Sequence, residues 1–157
     1  MELVEVSASI TNSHGDSYPP QAAGLVENLP QRVTPSAQER TVGVTRIGDR
    51  VLPPIMSGYD PVFSELACRR LAAIGIDPAM LKSHVEVKLA ALMIDTGQTQ
   101  ATVAINYTPC GFEVRRFAPD TCHRVLDDML PPGYTLTVYG TTQDNAPFEW
   151  TYGRRNG

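Results

Sequence analysis

The sequence predicts an α/β sandwich around a mixed sheet, and three observations carry that reading. Apolar periodicity switches along the chain from a hairpin-like stretch to helix, strand, helix and strand. Capping residues and glycine or proline stops bracket the helical runs. Apolar residues make up 42% of the 157 positions and charged residues only 19%, the balance of a globular domain with a core.

Residues 1–39 read as an irregular N-terminal arm or linker, and residues 40–157 as the domain. Pro19-Pro20, Pro30 and Pro35 punctuate the arm, which has no sustained apolar period, although Leu25, Val26 and Leu29 are apolar enough to lie against the domain. From Thr41 the texture changes. Thr41–Ile47, then Gly48-Asp49, then Arg50–Leu52 has the pattern of two strands joined by a tight turn. Asp60-Pro61 opens a helical stretch with Leu66, Leu71 and Ile74 at helical spacing, and Gly75 ends it.

His84–Thr96 is the strongest helix. Ser83 is a good N-cap, Glu86 follows three residues later as in a capping box, and Gly97 is a C-terminal stop. Ala101–Asn106 is a strand rich in β-branched residues. Pro119 suits the first turn of a helix running to about Leu130, with Val125, Leu126, Met129 and Leu130 facing inward. Pro131-Pro132-Gly133 breaks it. Tyr134–Tyr139 alternates as a strand, and Phe148–Tyr152 is a candidate for one more.

Charge and cysteine content narrow the function. A formal net charge of −4 argues against coating nucleic acid through bulk charge, and leaves room for a local basic pocket. No apolar run approaches the roughly 18 residues of a membrane span, and Met1–Glu5 lacks a secretion-signal start. Three cysteines, Cys68, Cys110 and Cys122, are too few and odd in number for a disulfide framework. They suit a reducing compartment or metal ligation. Cys68 falls within an apolar helical pattern and reads as a small core residue.

The words that carry chemistry are His84-Val85-Glu86 at a helix start, Pro109-Cys110, and Cys122. Side chains lean toward a helix's N-terminus, so residues two apart can both reach over its tip. The exposed amides and dipole there favour thiolate. Two facing helix starts would therefore bring one imidazole and two sulfurs together. Three protein ligands form the open, catalytic type of zinc site, whereas a structural site wants four. Glu86 beside them suits proton relay. Glu86 as a mere capping residue is the plainer alternative.

The resemblance goes further than these residues. His84-Val85-Glu86-Val87-Lys88-Leu89-Ala90, the strand ending Ile105-Asn106-Tyr107-Thr108-Pro109-Cys110, and Leu130-Pro131-Pro132-Gly133-Tyr134-Thr135-Leu136-Thr137-Val138-Tyr139-Gly140 resemble bacterial polymorphic-toxin cytosine deaminases of the cytidine-deaminase superfamily, relatives of the double-stranded-DNA deaminase toxin. The likeness covers roughly residues 40–142. It implies a cytidine-deaminase-like three-layer sandwich, with a mixed five-stranded sheet flanked by helices. It implies a Zn2+ site of His84, Cys110 and Cys122, with Glu86 as the acid/base. Ser57-Gly58 and Asn106 become candidates for contacting the target nucleotide. The resemblance also implies single- or double-stranded DNA as substrate, with cytosine converted to uracil, and a cognate immunity protein as partner. Such a toxin domain is secreted or delivered into the cytoplasm of a target bacterial cell.

One departure stands out. Eleven residues, 111–121, separate the two cysteines, where the deaminase signature has two. This insert holds Arg115, Arg116 and Phe117, residue types that hold phosphate and stack on bases. Alternatives stay open at this point. The same fold acting on RNA or free nucleosides is one, a metal-free cysteine hydrolase using Cys110 and His84 is another, and a non-catalytic zinc module is a third.

Overall fold

The computed structural model describes residues 9–33, 40–78, 82, 84–108 and 122–153, the side chains of residues 122–124 excepted. In chain order the strands are β1 (Ile10–Thr11), β2 (Ser17–Tyr18), β3 (Val42–Ile47), β4 (Arg50–Val51) and β5 (Ile55–Met56). Helices α1 (Phe63–Ala73) and α2 (Val85–Thr96) follow, then β6 (Gln100–Ile105), α3 (Cys122–Met129), β7 (Thr135–Thr141) and β8 (Pro147–Tyr152). The main sheet runs β4-β3-β6-β7-β8, with β5 also paired to β3. Only β6 and β7 are parallel; the other pairs are antiparallel. A parallel neighbour needs a crossover, and α3 lies in the connection that supplies it.

The fold is the mixed α/β sandwich the sequence implies, and its details differ in three places. The sheet has six strands in five positions, because β4 and β5 share one edge of β3. Between them Pro53 and Pro54 lack amide hydrogens, so the edge cannot be one continuous ladder. Helix α2 starts one residue later than its pattern implies, with His84 as N-cap. Its other end is as read: Gly97 is left-handed, at φ 73°.

The third difference concerns the layers. All three helices share one core with a single sheet face: Ala67 and Leu71 from α1, Leu89 and Met93 from α2, and Leu126 and Met129 from α3 pack with Val103, Ile105, Leu136 and Val138. Among the described residues the opposite face is covered by no α-helix. Tyr18, Ala22, Leu25, Val26 and Leu29 lie there against Val44, Ala104 and Tyr139. They come from the β1–β2 hairpin and from two 3-10 turns, Pro20–Ala22 and Val26–Asn28, the second flanked by Leu25 and Leu29 as its caps. The strand alternation explains both faces. Val103 and Ile105 point one way, Thr102 and Ala104 the other, and the register places Val138 beside Val103 and Tyr139 beside Ala104.

One glycine sets how closely α2 approaches the sheet. A methyl group on Gly43 of β3 would lie 2.6 Å from Val85 Cγ1 and 3.0 Å from Val103 Cγ2. Any side chain there would push the first turn of α2 away.

Candidate active site

The first turn of α2 presents two chemically able side chains at one spot. His84 is extended, at φ −79° and ψ 143°, and its carbonyl accepts the Lys88 amide at 3.0 Å. Val85 is the first helical residue, which makes Glu86 the second. A capping box needs the acid at the third helical position. Relative to this N-cap, Glu86 stands one place too early for that role. The Ser83 cap lies outside the described residues. Glu86 is only 4% exposed, so its carboxylate is a buried acid at a helix start, where the amides and dipole favour negative charge.

Both residues face a cavity of about 200 Å³ lined by Thr41, Ser57, His84, Val85, Glu86, Tyr107 and Thr108. Its walls are held by backbone bonds. The Ser57 amide donates to the Thr41 carbonyl at 2.8 Å, and the Thr41 amide donates to Ser57 Oγ at 2.9 Å. That reciprocal pair extends the β3–β5 ladder by one rung and sets Ser57 opposite α2.

Tyr107 and Thr108 reach the cavity because Asn106, just past β6, anchors them. Asn106 is 1% exposed. Its Oδ1 accepts the Val42 amide at 2.7 Å, and its Nδ2 donates to the Gln31 carbonyl at 3.0 Å. Its backbone carbonyl takes the Val33 amide at 2.9 Å. One side chain thus ties together β3, the end of β6 and the N-terminal segment. Tyr107 is fixed further: the Thr141 amide donates to its carbonyl at 3.2 Å, and the Arg32 guanidinium sits 5.4 Å from its ring centre.

The residues singled out from sequence fall into three groups. His84, Glu86 and Ser57 come together around the cavity. Gly58 lies beside it, at φ 110°, in an adjoining hollow lined also by Arg40 and Lys88, while the Asn106 side chain is spent on the two bonds above. Cys122 is the first residue of α3, and α3 packs against α2. The Cys122 side chain lies outside the described part, as do Cys110, Arg115, Arg116 and Phe117.

Sequence reading passed over Thr41, Tyr107, Thr108 and Lys88. Thr108 sits two residues before Cys110 and Lys88 one turn after His84, so spacing alone was a usable signal for both. Lys88 is 2% exposed, and its Nζ donates to the Met56 carbonyl at 2.7 Å. Burial pushes its ammonium below the usual lysine range; Asp60 opposes that shift, and Arg40 adds to it.

Of the residues a zinc ion would need, the described part supplies one side chain, the His84 imidazole, a donor type zinc accepts. A half-buried imidazole and a buried carboxylate share one cavity wall, and a cysteine opens the neighbouring helix. Among the described residues no three His, Cys, Asp or Glu side chains group as a complete metal set.

A mixed sheet with this helix-start acid and imidazole at one cavity defines a deaminase-like α/β protein. More narrowly, the SCP1.201-like deaminase family matches residues 17–155, and the chain belongs to that family. The match takes in β2 and both 3-10 turns as well as the helices and main sheet. The chain has no match among curated proteins.

Proposed function

We propose that this chain hydrolyses cytosine to uracil in DNA, single- or double-stranded, with zinc held by His84, Cys110 and Cys122. The observation that carries the reading is the placement of His84 and buried Glu86 on one wall of a small cavity, in a chain of a deaminase family. Family membership weighs against a metal-free cysteine hydrolase. The cavity's size favours one base over a larger ligand. At about 200 Å³ it falls below the roughly 300–1,000 Å³ of ordinary ligand pockets. A single base turned out of its strand, or already unpaired, is the natural occupant.

Zinc, when bound, supplies a Lewis acid that lowers the pKa of water toward neutrality. His84 would hold the ion together with the sulfurs of Cys110 and Cys122, as the resemblance to cytosine deaminases implies, and Glu86 stays unligated. The chain's own residues do the rest. Glu86 takes a proton from the attacking water and passes it to the ring nitrogen next to the amine-bearing carbon. That carbon gains oxygen, and its bond to the exocyclic nitrogen breaks. Glu86 then takes the proton of the new hydroxyl, which becomes the carbonyl, and hands it to the departing nitrogen, so that cytosine and water become uracil and ammonia. Ser57, Thr41, Tyr107 and Thr108 enclose the base and exclude bulk water. The reading extends to biology. The domain acts as a toxin secreted or delivered into the cytoplasm of a target bacterial cell, and a cognate immunity protein blocks it.

The test is uracil formation, followed by mass spectrometry, on a panel of single-stranded DNA, duplex DNA, RNA and free cytidine. The wild-type protein converts cytosine in DNA. Glu86→Gln lowers the rate by about 100-fold or more while zinc content stays unchanged. Conversion confined to RNA or to free cytidine would replace the substrate assignment, and a variant as active as the wild type would end the mechanism.

A further inference from the structure

Beside the base-sized cavity lies a second hollow of about 260 Å³, and the two share Ser57. It is lined by Arg40, Met56, Gly58, Tyr59, Asp60 and Lys88, among others. We propose that this hollow holds the phosphodiester next to the target base, with Arg40 and Lys88 as its cationic partners and Tyr59 as a stacking surface for the adjoining base. The inference rests on the nucleic-acid reading above and names where the strand's backbone would run.

Three observations carry it. The first is Lys88. A buried ammonium is costly unless it is paired. Its hydrogen-bond partner among the described residues is one neutral carbonyl, of Met56, and among those residues no carboxylate lies in salt-bridge contact with it or with Arg40. The acid whose charge bears on it, Asp60, has Oδ1 committed to the amides of Val62 and Phe63 at 2.8 Å each, just ahead of α1. Asp60 acts on Lys88 only through its field, and an arriving phosphate would supply a direct anionic partner.

The second is Arg40 over Gly58. A methyl group on Gly58 would lie 3.5 Å from Arg40 Cζ, so the guanidinium rests on bare backbone. Gly58 sits at φ 110°, where other residues are strained. Arg40 is exposed, which suits a fork-shaped donor meeting phosphate oxygens from solvent.

The third is the rim. Met56 and Tyr59 are large apolar residues of its lining left 46% and 60% exposed. The Tyr59 ring is held in place: its hydroxyl donates to Glu65 Oε2 at 2.8 Å, and Lys82 Nζ lies 5.5 Å from its centre. Cations beside a fixed, exposed aromatic ring are the ingredients of single-strand binding, in which charge follows the backbone and rings take the bases. The local patch also reconciles a net charge of −4 with a polyanionic substrate.

The experiment is steady-state deamination of a single-stranded cytosine oligonucleotide, together with salt-dependent binding of the same labelled oligonucleotide by the Glu86→Gln protein. Arg40→Gln should raise KM about tenfold, leave kcat within about twofold, and reduce the salt slope of binding by about one phosphate contact. Lys88→Met keeps the stem and removes the unpaired charge. It should raise KM while leaving thermal stability equal or higher. Arg50→Gln, on the far β4 edge, serves as a charge-matched control with unchanged KM. An active wild-type protein whose KM and salt slope are indifferent to Arg40→Gln would overturn the inference. So would a Lys88→Met protein that loses stability and keeps its KM, since that marks a structural lysine. A wild-type protein that neither binds nor deaminates DNA overturns the substrate reading beneath, and this inference with it.

Discussion

Asn106 illustrates how much of this site depends on a residue that holds other residues in place. Both ends of its amide are consumed, by the Val42 amide and the Gln31 carbonyl, and these bonds hold Tyr107 and Thr108 at the cavity wall. Asn106→Ala leaves the part-buried Val42 amide and Gln31 carbonyl without this partner. Leaving such groups unpaired costs about 1–3 kcal/mol apiece. Two such groups allow roughly 2–6 kcal/mol, and because both are only part-buried, urea unfolding of the variant should show a loss in the lower half of that range, with the denaturant slope unchanged. A loss below about 0.5 kcal/mol, the range of an ordinary surface substitution, would contradict the anchoring role. The residue's type was visible in the sequence, and its employment was not. An asparagine just past a strand can meet a nucleotide or its own backbone, and only the placement of Gln31, 75 positions away, distinguishes the two.

At the scale of elements, the first turn of α2 is the part on which chemistry depends, and Gly43 sets its position. Gly43→Ala places a methyl group 2.6 Å from Val85 Cγ1, between the residues that carry the imidazole and the carboxylate. Overpacking of this kind costs about 1–3 kcal/mol, and relief comes from moving the helix start. Deamination should fall by more than the stability loss explains. Val85→Ala in the Gly43→Ala background should recover much of both, because it removes the other half of the clash; a strictly additive double variant would show that the contact is not what matters.

The long elements were legible from pattern. Gly97 ends α2 and the β6 and β7 segments alternate, because burial on defined faces leaves a period in the sequence. Two kinds of detail were not fully legible. The start of α2 moved by one residue, since His84 can be extended without any signature in its identity. The covering of the second sheet face was legible only in part: Leu25, Val26 and Leu29 stood out as apolar, and which face they cover did not. Tyr18, Leu25, Val26 and Leu29 come from a two-residue strand and a 3-10 turn with its caps, too short to carry a period, so their burial depends on tertiary contact alone.

For the whole molecule, two clusters of apolar side chains on opposite faces clamp one sheet, and the cavity opens where β3, β5, the end of β6 and the start of α2 meet. Among the described residues no helix is long and apolar enough to cross a membrane. The fold class could be read from the alternation of elements, and the likeness to deaminases from His84-Val85-Glu86 and Pro109-Cys110. The larger cavity wall could not, because Thr41, Ser57 and Tyr107 are brought together only by strand pairing and the Asn106 anchor.

The claim on which this account turns is that His84, Cys110 and Cys122, distant in sequence, converge on one zinc ion. X-ray absorption at the zinc edge of the purified protein tests that most directly. The account predicts one zinc per chain with a mixed first shell: two sulfurs at about 2.3 Å, one imidazole nitrogen at about 2.0–2.1 Å, and one further light atom. Replacing Cys122 with Ser should remove one sulfur from that shell. A protein purified without zinc that takes up none, or a shell lacking sulfur, would contradict it.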